Sequence, residues 1–194
     1  MSNYVTREAL IEFIAGLDTA FARPGRLYLI GETTHLFEKW RDWTTQIEFC
    51  AEIADDDRAA YAQAVAKIQT ESGHIVIDQS PGDLIPLPDD YDGRARQCDN
   101  SPTRSLTLHH FDPYSVSYRF VARGDEPDYH IVLMYLDKGW ITFEELDERL
   151  TGLLPRFTSE TIQQDPAEFR RKYRGLRQLY RAVKPRTTHR PTAV

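Results

Sequence analysis

Arg26-Leu27-Tyr28-Leu29-Ile30-Gly31-Glu32-Thr33-Thr34, then His35 to Trp40, then Thr44-Thr45-Gln46-Ile47-Glu48-Phe49, is the stretch that decides the fold of this chain. The first five residues read as a strand. Gly31 turns that strand into a short helix over His35–Trp40, and a second strand follows. A glycine that converts strand to helix leaves free backbone N–H groups at the helix N-terminus, and these suit an anion, above all a phosphate. Alternation places Gln46 and Glu48 on one face of the second strand and Thr45, Ile47 and Phe49 on the other. Cys50 falls on the Glu48 face, where a small buried residue is its simplest role.

Outward from this stretch, the pattern alternates between helix and strand. Leu10, Phe13, Ile14, Leu17 and Phe21 recur at three and four residues, which predicts an amphipathic helix over Thr6–Phe21. Pro24-Gly25 breaks it. Asp55, Asp56 and Asp57 favour the positive end of a helix that runs to about Thr70. His74–Asp78 reads as a third strand, and the prolines from Ser80 to Pro88 mark an extended loop. Asp89–Thr103 is polar and reads as an exposed loop. Leu106–Phe111 reads as a fourth strand, with His109 and His110 pointing opposite ways and so not sharing one ion. From Pro113 the pattern is helical. Thr142 with Glu145 forms a capping box, and Phe169, Tyr173, Leu176, Tyr180 and Val183 line a last helix over Pro166–Val183. The predicted class is α+β: a small mixed sheet flanked by helices, then a helical C-terminal part. Residues 1–110 form the sheet and its helices, 111–155 a helical part packed on it, and 156–194 a basic helix and tail.

Composition is that of an ordinary globular protein: 194 residues, 41% hydrophobic and 28% charged. No apolar run approaches the roughly 18 residues a membrane span needs, and no signal-peptide order opens the chain. Two cysteines, Cys50 and Cys98, give neither a metal spacing nor a disulfide framework, so a reduced cytoplasmic setting is the simplest reading. The net charge of −6 conceals an asymmetry. Ala167–Val194 holds nine Lys and Arg against Glu168 alone, a charge of +8 that leaves −14 on the preceding residues. Such a tail either reaches for nucleic acid, with Arg170, Arg171, Arg174, Arg177 and Arg181 on RNA, or lies back on its own acidic surface.

The chain resembles the minimal nucleotidyltransferase-fold proteins related to toxins of bacterial abortive-infection and toxin–antitoxin systems. The likeness covers about residues 5–154. A strand ending in Gly-Gly-Ser or Gly-Gly-Thr is matched by Gly31-Glu32-Thr33. A Thr-x-Asp-Ile-Asp strand is matched by Thr44-Thr45-Gln46-Ile47-Glu48. A Ser-Pro-Gly-Asp loop is similar to Ser80–Pro88. An Asp-Pro-Tyr helix start, with Lys in its middle and Arg at its end, is matched by Asp112-Pro113-Tyr114 through Arg119 to Arg123. A final helix with a Gly-x-Ile link resembles Leu133–Ile141.

That resemblance implies a nucleoside triphosphate over the glycine turn, at Gly31, Glu32, Thr33 and Arg119. It also implies two divalent metals, as a rule Mg²⁺, held by carboxylates; the metals polarise the α-phosphate and ready an attacking hydroxyl. Glu48, Asp78 and Gln46 are the candidate catalytic residues, and Glu48, Asp78 and Glu32 the candidate metal ligands. The sequence departs from the family at this pocket. Gln46 brings no charge, Glu48 moves its charge one methylene outward, and Glu32 puts a carboxylate where triphosphate belongs. Arg119 keeps the charge of the expected Lys and adds a fork. The acid expected in the following helix is replaced by Ile131 or Val132. Three readings stay open: a degenerate, non-catalytic protein that binds a partner; an active metal-dependent transferase modifying RNA or protein; and a homodimerising scaffold built on the apolar stripe of the last helix.

Overall fold

In the computed structural model, residues 4–158 and 164–183 are described; Lys184, Arg186 and Arg190 of the basic segment lie outside them. β1 (Val5–Thr6) leads into α1 (Arg7–Phe21). The Thr6 hydroxyl caps α1 by accepting the Ala9 N–H at 3.3 Å, and Leu10, Phe13, Ile14, Leu17 and Phe21 are all buried. β2 (Gly25–Leu29), α2 (Glu32–Phe37), β3 (Trp43–Thr44) and β4 (Gln46–Glu52) follow, then α3 (Arg58–Ser72) and β5 (Ile75–Asp78). β6 (Arg96–Gln97) and β7 (Leu106–His110) complete the strands. α4 (Pro113–Arg123), α5 (Glu126–Asp137), α6 (Phe143–Leu153) and α7 (Pro166–Val183) make the helical part.

The main sheet has the order β5-β4-β2-β7-β6. β2 runs antiparallel to β4 and parallel to β7, β4 runs parallel to β5, and β6 runs antiparallel to β7. The protein is therefore α+β with a mixed sheet, as its sequence predicts. One sheet face, carrying Leu27, Leu29, Ile47, Phe49 and Leu108, packs on α1 and α3. On the other side, Ile30, Cys50 and Phe111 join a second cluster built from α4 to α7. Asp18 on α1 locks the entry to β7: its buried carboxylate accepts the N–H groups of Arg104, Ser105 and Leu106 at 2.8, 3.0 and 2.7 Å.

Two expectations change. The short helix starts at Glu32, three residues earlier than its apolar pattern suggests, because the turn at Gly31 closes at once: Thr33 N–H reaches Ile30 C=O at 3.1 Å and His35 N–H reaches Gly31 C=O at 3.2 Å. Asp89–Thr103 is not merely an exposed loop. Arg94 holds both oxygens of the buried Asp112 at 2.9 and 3.0 Å, Cys98 is buried, and Arg96–Gln97 pairs with His109–His110. Its polar composition serves pairing with distant residues, which local patterning does not reveal. The capping box is present, with Thr142 Oγ1 accepting the Glu145 N–H at 3.2 Å. The apolar stripe of α7 docks on the chain's own body through Phe169, Tyr173 and Leu176, while Val183 stays exposed.

α2 carries His35 into the core, with ring centres 4.7 Å from Tyr135 and 5.4 Å from Trp40. Its Nε2 has no hydrogen-bond partner among the described residues. Burial, then the charges of Arg41 and His110, push its pKa down to about 3 from 6.5. Between those values the unfolded chain takes up a proton that the folded chain refuses. The His35 contribution is thus fully present above pH 6.5 and is lost as pH falls toward 3, a difference on the order of several kcal/mol. Urea unfolding from pH 7 to pH 4 should show the stability of His35→Leu declining less steeply than that of the parent; parallel declines would refute the account.

Candidate functional site

Gly31 stands at the end of β2 with φ 56° and ψ −124°, a backbone conformation open to glycine and strained for other residues. A Cβ there would sit 2.5 and 2.7 Å from ring atoms of Phe120 on α4, and 3.4 Å from Oε2 of Glu48. The turn is fastened onto β4 at the same residue: Ile30 N–H donates to Glu48 C=O at 3.1 Å, and Glu48 N–H donates to Thr33 Oγ1 at 2.7 Å. The glycine turn and Glu48 are thus one unit, and the ring of Phe120 covers it.

Glu48 is 2% exposed. Its Oε1 lies 3.0 Å from Arg119 Nη2 and 3.7 Å from Arg123 Nη1. Arg123 continues to Asp128 at 3.3 Å, and Arg119 donates to Gln79 Oε1 at 3.2 Å. Two carboxylates and two guanidinium groups form a neutral cluster beneath the turn, as a buried charge requires. Burial raises the pKa of Glu48 above the ordinary glutamate value, while Arg119 and Arg123 pull it back down. Burial likewise raises Asp128 against the pull of Arg123.

The other expected residues are placed differently. Glu32 opens α2 half-buried, ion-paired with Arg41 and accepting the Thr44 hydroxyl at 2.7 Å. Gln46 begins β4, half-buried and on the Glu48 face. Asp78 does not join Glu48. The β4–β5 register pairs Phe49 with Asp78 and Glu48 with Ile77, and cross-strand partners share a face. Asp78 therefore belongs to the α1–α3 side, beside the Tyr61 hydroxyl and the Ala51 N–H, and burial raises its pKa. One residue further on, Gln79 reaches the cluster. Among the described residues no three His, Cys, Asp or Glu side chains converge as a metal cage. His110 points inward to Glu38 at 2.8 Å, while the His109 ring lies tilted beside Tyr28.

Two hollows open on neighbouring residues, and the four charged groups of the cluster line neither. One of about 280 Å³ lies between α2 and α5 and is lined by Glu32, His35, Arg41, His130, Ile131 and Met134. Its apolar wall includes Ile131. The other, about 340 Å³, opens along the Glu48 face of the sheet over Tyr28, Cys50 and Glu52, with Tyr91 and Phe111 as walls. Cys50 lies in this second hollow. The signal for it in the sequence is weak, since Tyr91 comes from the loop whose fold depends on distant contacts.

On α7, Arg177 pairs with Asp147 of α6 at 2.8 Å, and Arg171 with Glu168 of its own helix at 3.8 Å. Arg170, Arg174 and Arg181 have no acidic partner among the described residues. Compared with protein-family models, curated proteins and solved structures, the chain has no match.

The cluster generates a stability test. Arg119→Met leaves Glu48 buried with only the more distant Arg123, and should cost roughly 3–5 kcal/mol in urea unfolding. Adding Glu48→Gln removes the stranded charge and should recover part of that loss. A double variant no more stable than Arg119→Met would show that the pair is not what sets the cost.

Proposed function

We propose that this chain is a nucleotidyltransferase-like protein whose nucleotide and metal site no longer supports transfer, and that it acts by binding a partner. One observation carries the reading: Glu48, the remaining acid of the strand pair, is buried and ion-paired to Arg119 and Arg123 under a turn packed by Phe120. Metal-assisted transfer needs cations with exchangeable coordination positions, so that they polarise a phosphate and activate a hydroxyl. A guanidinium supplies charge but no such position. For Mg²⁺ to reach Glu48, two arginines would have to leave it, and one tethered charge would be exchanged for a strongly hydrated ion. A triphosphate over Gly31 would displace the Phe120 ring and approach Glu32, whose charge opposes it.

The alternative, active transfer through a rewired trio of Glu32, Glu48 and Asp78, loses ground because Asp78 shares the sheet face of Phe49 rather than that of Glu48. The scaffold alternative loses ground because the buried part of the α7 stripe is taken up by the chain's own α4 and α5.

The test uses α-labelled ATP, GTP, CTP and UTP in turn, with Mg²⁺ or Mn²⁺ and total RNA as acceptor; self-labelling of the protein is read from the same reactions. The expected result is no incorporation above that of Glu48→Ala, and no metal-dependent heat of nucleotide binding in calorimetry. Incorporation by the parent that Glu48→Ala abolishes would overturn the reading.

A further inference from the structure

α7 is two-faced. Phe169, Tyr173 and Leu176 are buried, and Lys172 lies against the body with its ammonium donating to Ala122 C=O. At 100° per residue, Arg170, Arg174, Arg177 and Arg181 then fall in a single stripe about 60° wide, at steps of four, three and four. The stripe is about 16 Å long at 1.5 Å per residue. Arg177 is the one member tied down, to Asp147 at 2.8 Å, with its guanidinium also over the Phe143 ring at 5.1 Å. Arg170, Arg174 and Arg181 have no acidic partner among the described residues, although the residues before Ala167 carry −14. The basic helix is held on the acidic body by its apolar face, and three of its charges are turned away from that body.

We infer that this stripe is a binding surface for the phosphate backbone of a single-stranded nucleic acid. Four arginines in line match a linear run of phosphates, and each guanidinium takes a phosphate through two parallel N–H donors. The choice of a single strand follows from the surroundings. α6, the neighbouring helix, carries Glu144, Asp147 and Glu148, with Glu144 and Glu148 exposed. A second strand lying on the α6 side of the stripe would bring its phosphates toward those acids. The inference names the partner left open under the proposed function and rests on the reading of this protein as a binder. Its test is separate: failure here leaves the account of the nucleotide site intact, and nucleotide incorporation would overturn that account without touching this surface.

The experiment measures binding of the full chain to a fluorescein-labelled 12-nucleotide oligouridylate by anisotropy, from 50 to 300 mM NaCl. It is repeated with R170Q/R174Q/R181Q, with a 12-base-pair duplex and with polyglutamate. The parent should bind the single strand with a slope of log K on log salt between about −2 and −3, from three to four neutralised phosphates. The triple variant should bind at least tenfold more weakly at 50 mM NaCl and lose about 2 from the slope, with an unchanged circular dichroism spectrum and thermal midpoint. No binding by the parent, or a triple variant equal to the parent in affinity and slope, would overturn the inference. Tighter binding to polyglutamate would replace the nucleic acid with an acidic protein surface, and tighter binding to the duplex would end the single-strand assignment.

Discussion

The contact between Glu48 and Arg119, closed over by the Gly31 turn, is the constraint on which the rest of this structure depends. A carboxylate 2% exposed cannot stay charged without a partner. A metal ion could be that partner, but it comes and goes with solution conditions. Here the partner is covalently part of α4, 3.0 Å away, so the helical part is tied to the sheet wherever the chain is folded. The tie has a direction as well as a strength. Arg119 and Arg123 are one turn apart on α4, and both reach the same oxygen of Glu48. That sets the rotation of α4, and the rotation brings Phe120 against Gly31.

Phe120 and Gly31 therefore require each other. Any side chain at position 31 would collide with the ring, and a smaller residue at position 120 would leave the turn and the buried charges open to water. Thr33 completes the unit by accepting the Glu48 N–H, so that the strand end is satisfied without a ligand. A turn of this kind is suited to a phosphate when its N-terminal groups are open. In this molecule an aromatic ring covers it and a neutral ion-pair cluster lies beneath it, and the same local geometry works as a joint between sheet and helices.

The turn, the two strands beside it and the placing of Glu48 on the face opposite Ile47 and Phe49 were legible in the sequence, because each depends on residues within a few positions. Asp78 was not legible. Its face depends on which residue of β5 lies opposite Glu48, and register between strands is set by packing rather than by either strand alone. A shift of one residue exchanges Asp78 for Gln79, and it is Gln79 that meets Arg119. The same limit hid β6: a two-residue strand in a polar segment becomes visible only through its partner, His109–His110. Arg119 was readable as a charge near the turn, but not as the partner of Glu48, since that pairing joins residues 71 positions apart.

If the basic segment existed to neutralise the acidic body, its arginines would be expected among the body's carboxylates, where pairing is locally strongest. Arg177 does this with Asp147, which also accepts the Tyr173 hydroxyl at 2.9 Å. Its neighbours on the stripe do not among the described residues, although rotating the helix by one residue step would bring different arginines to α6. Such a rotation would withdraw Phe169, Tyr173 and Leu176 from the core, and the loss of three buried side chains, on the order of 1.5–3 kcal/mol each, outweighs exposed ion pairs worth at most about 1 kcal/mol. Apolar packing thus fixes the orientation of α7 and leaves Arg170, Arg174 and Arg181 facing solvent.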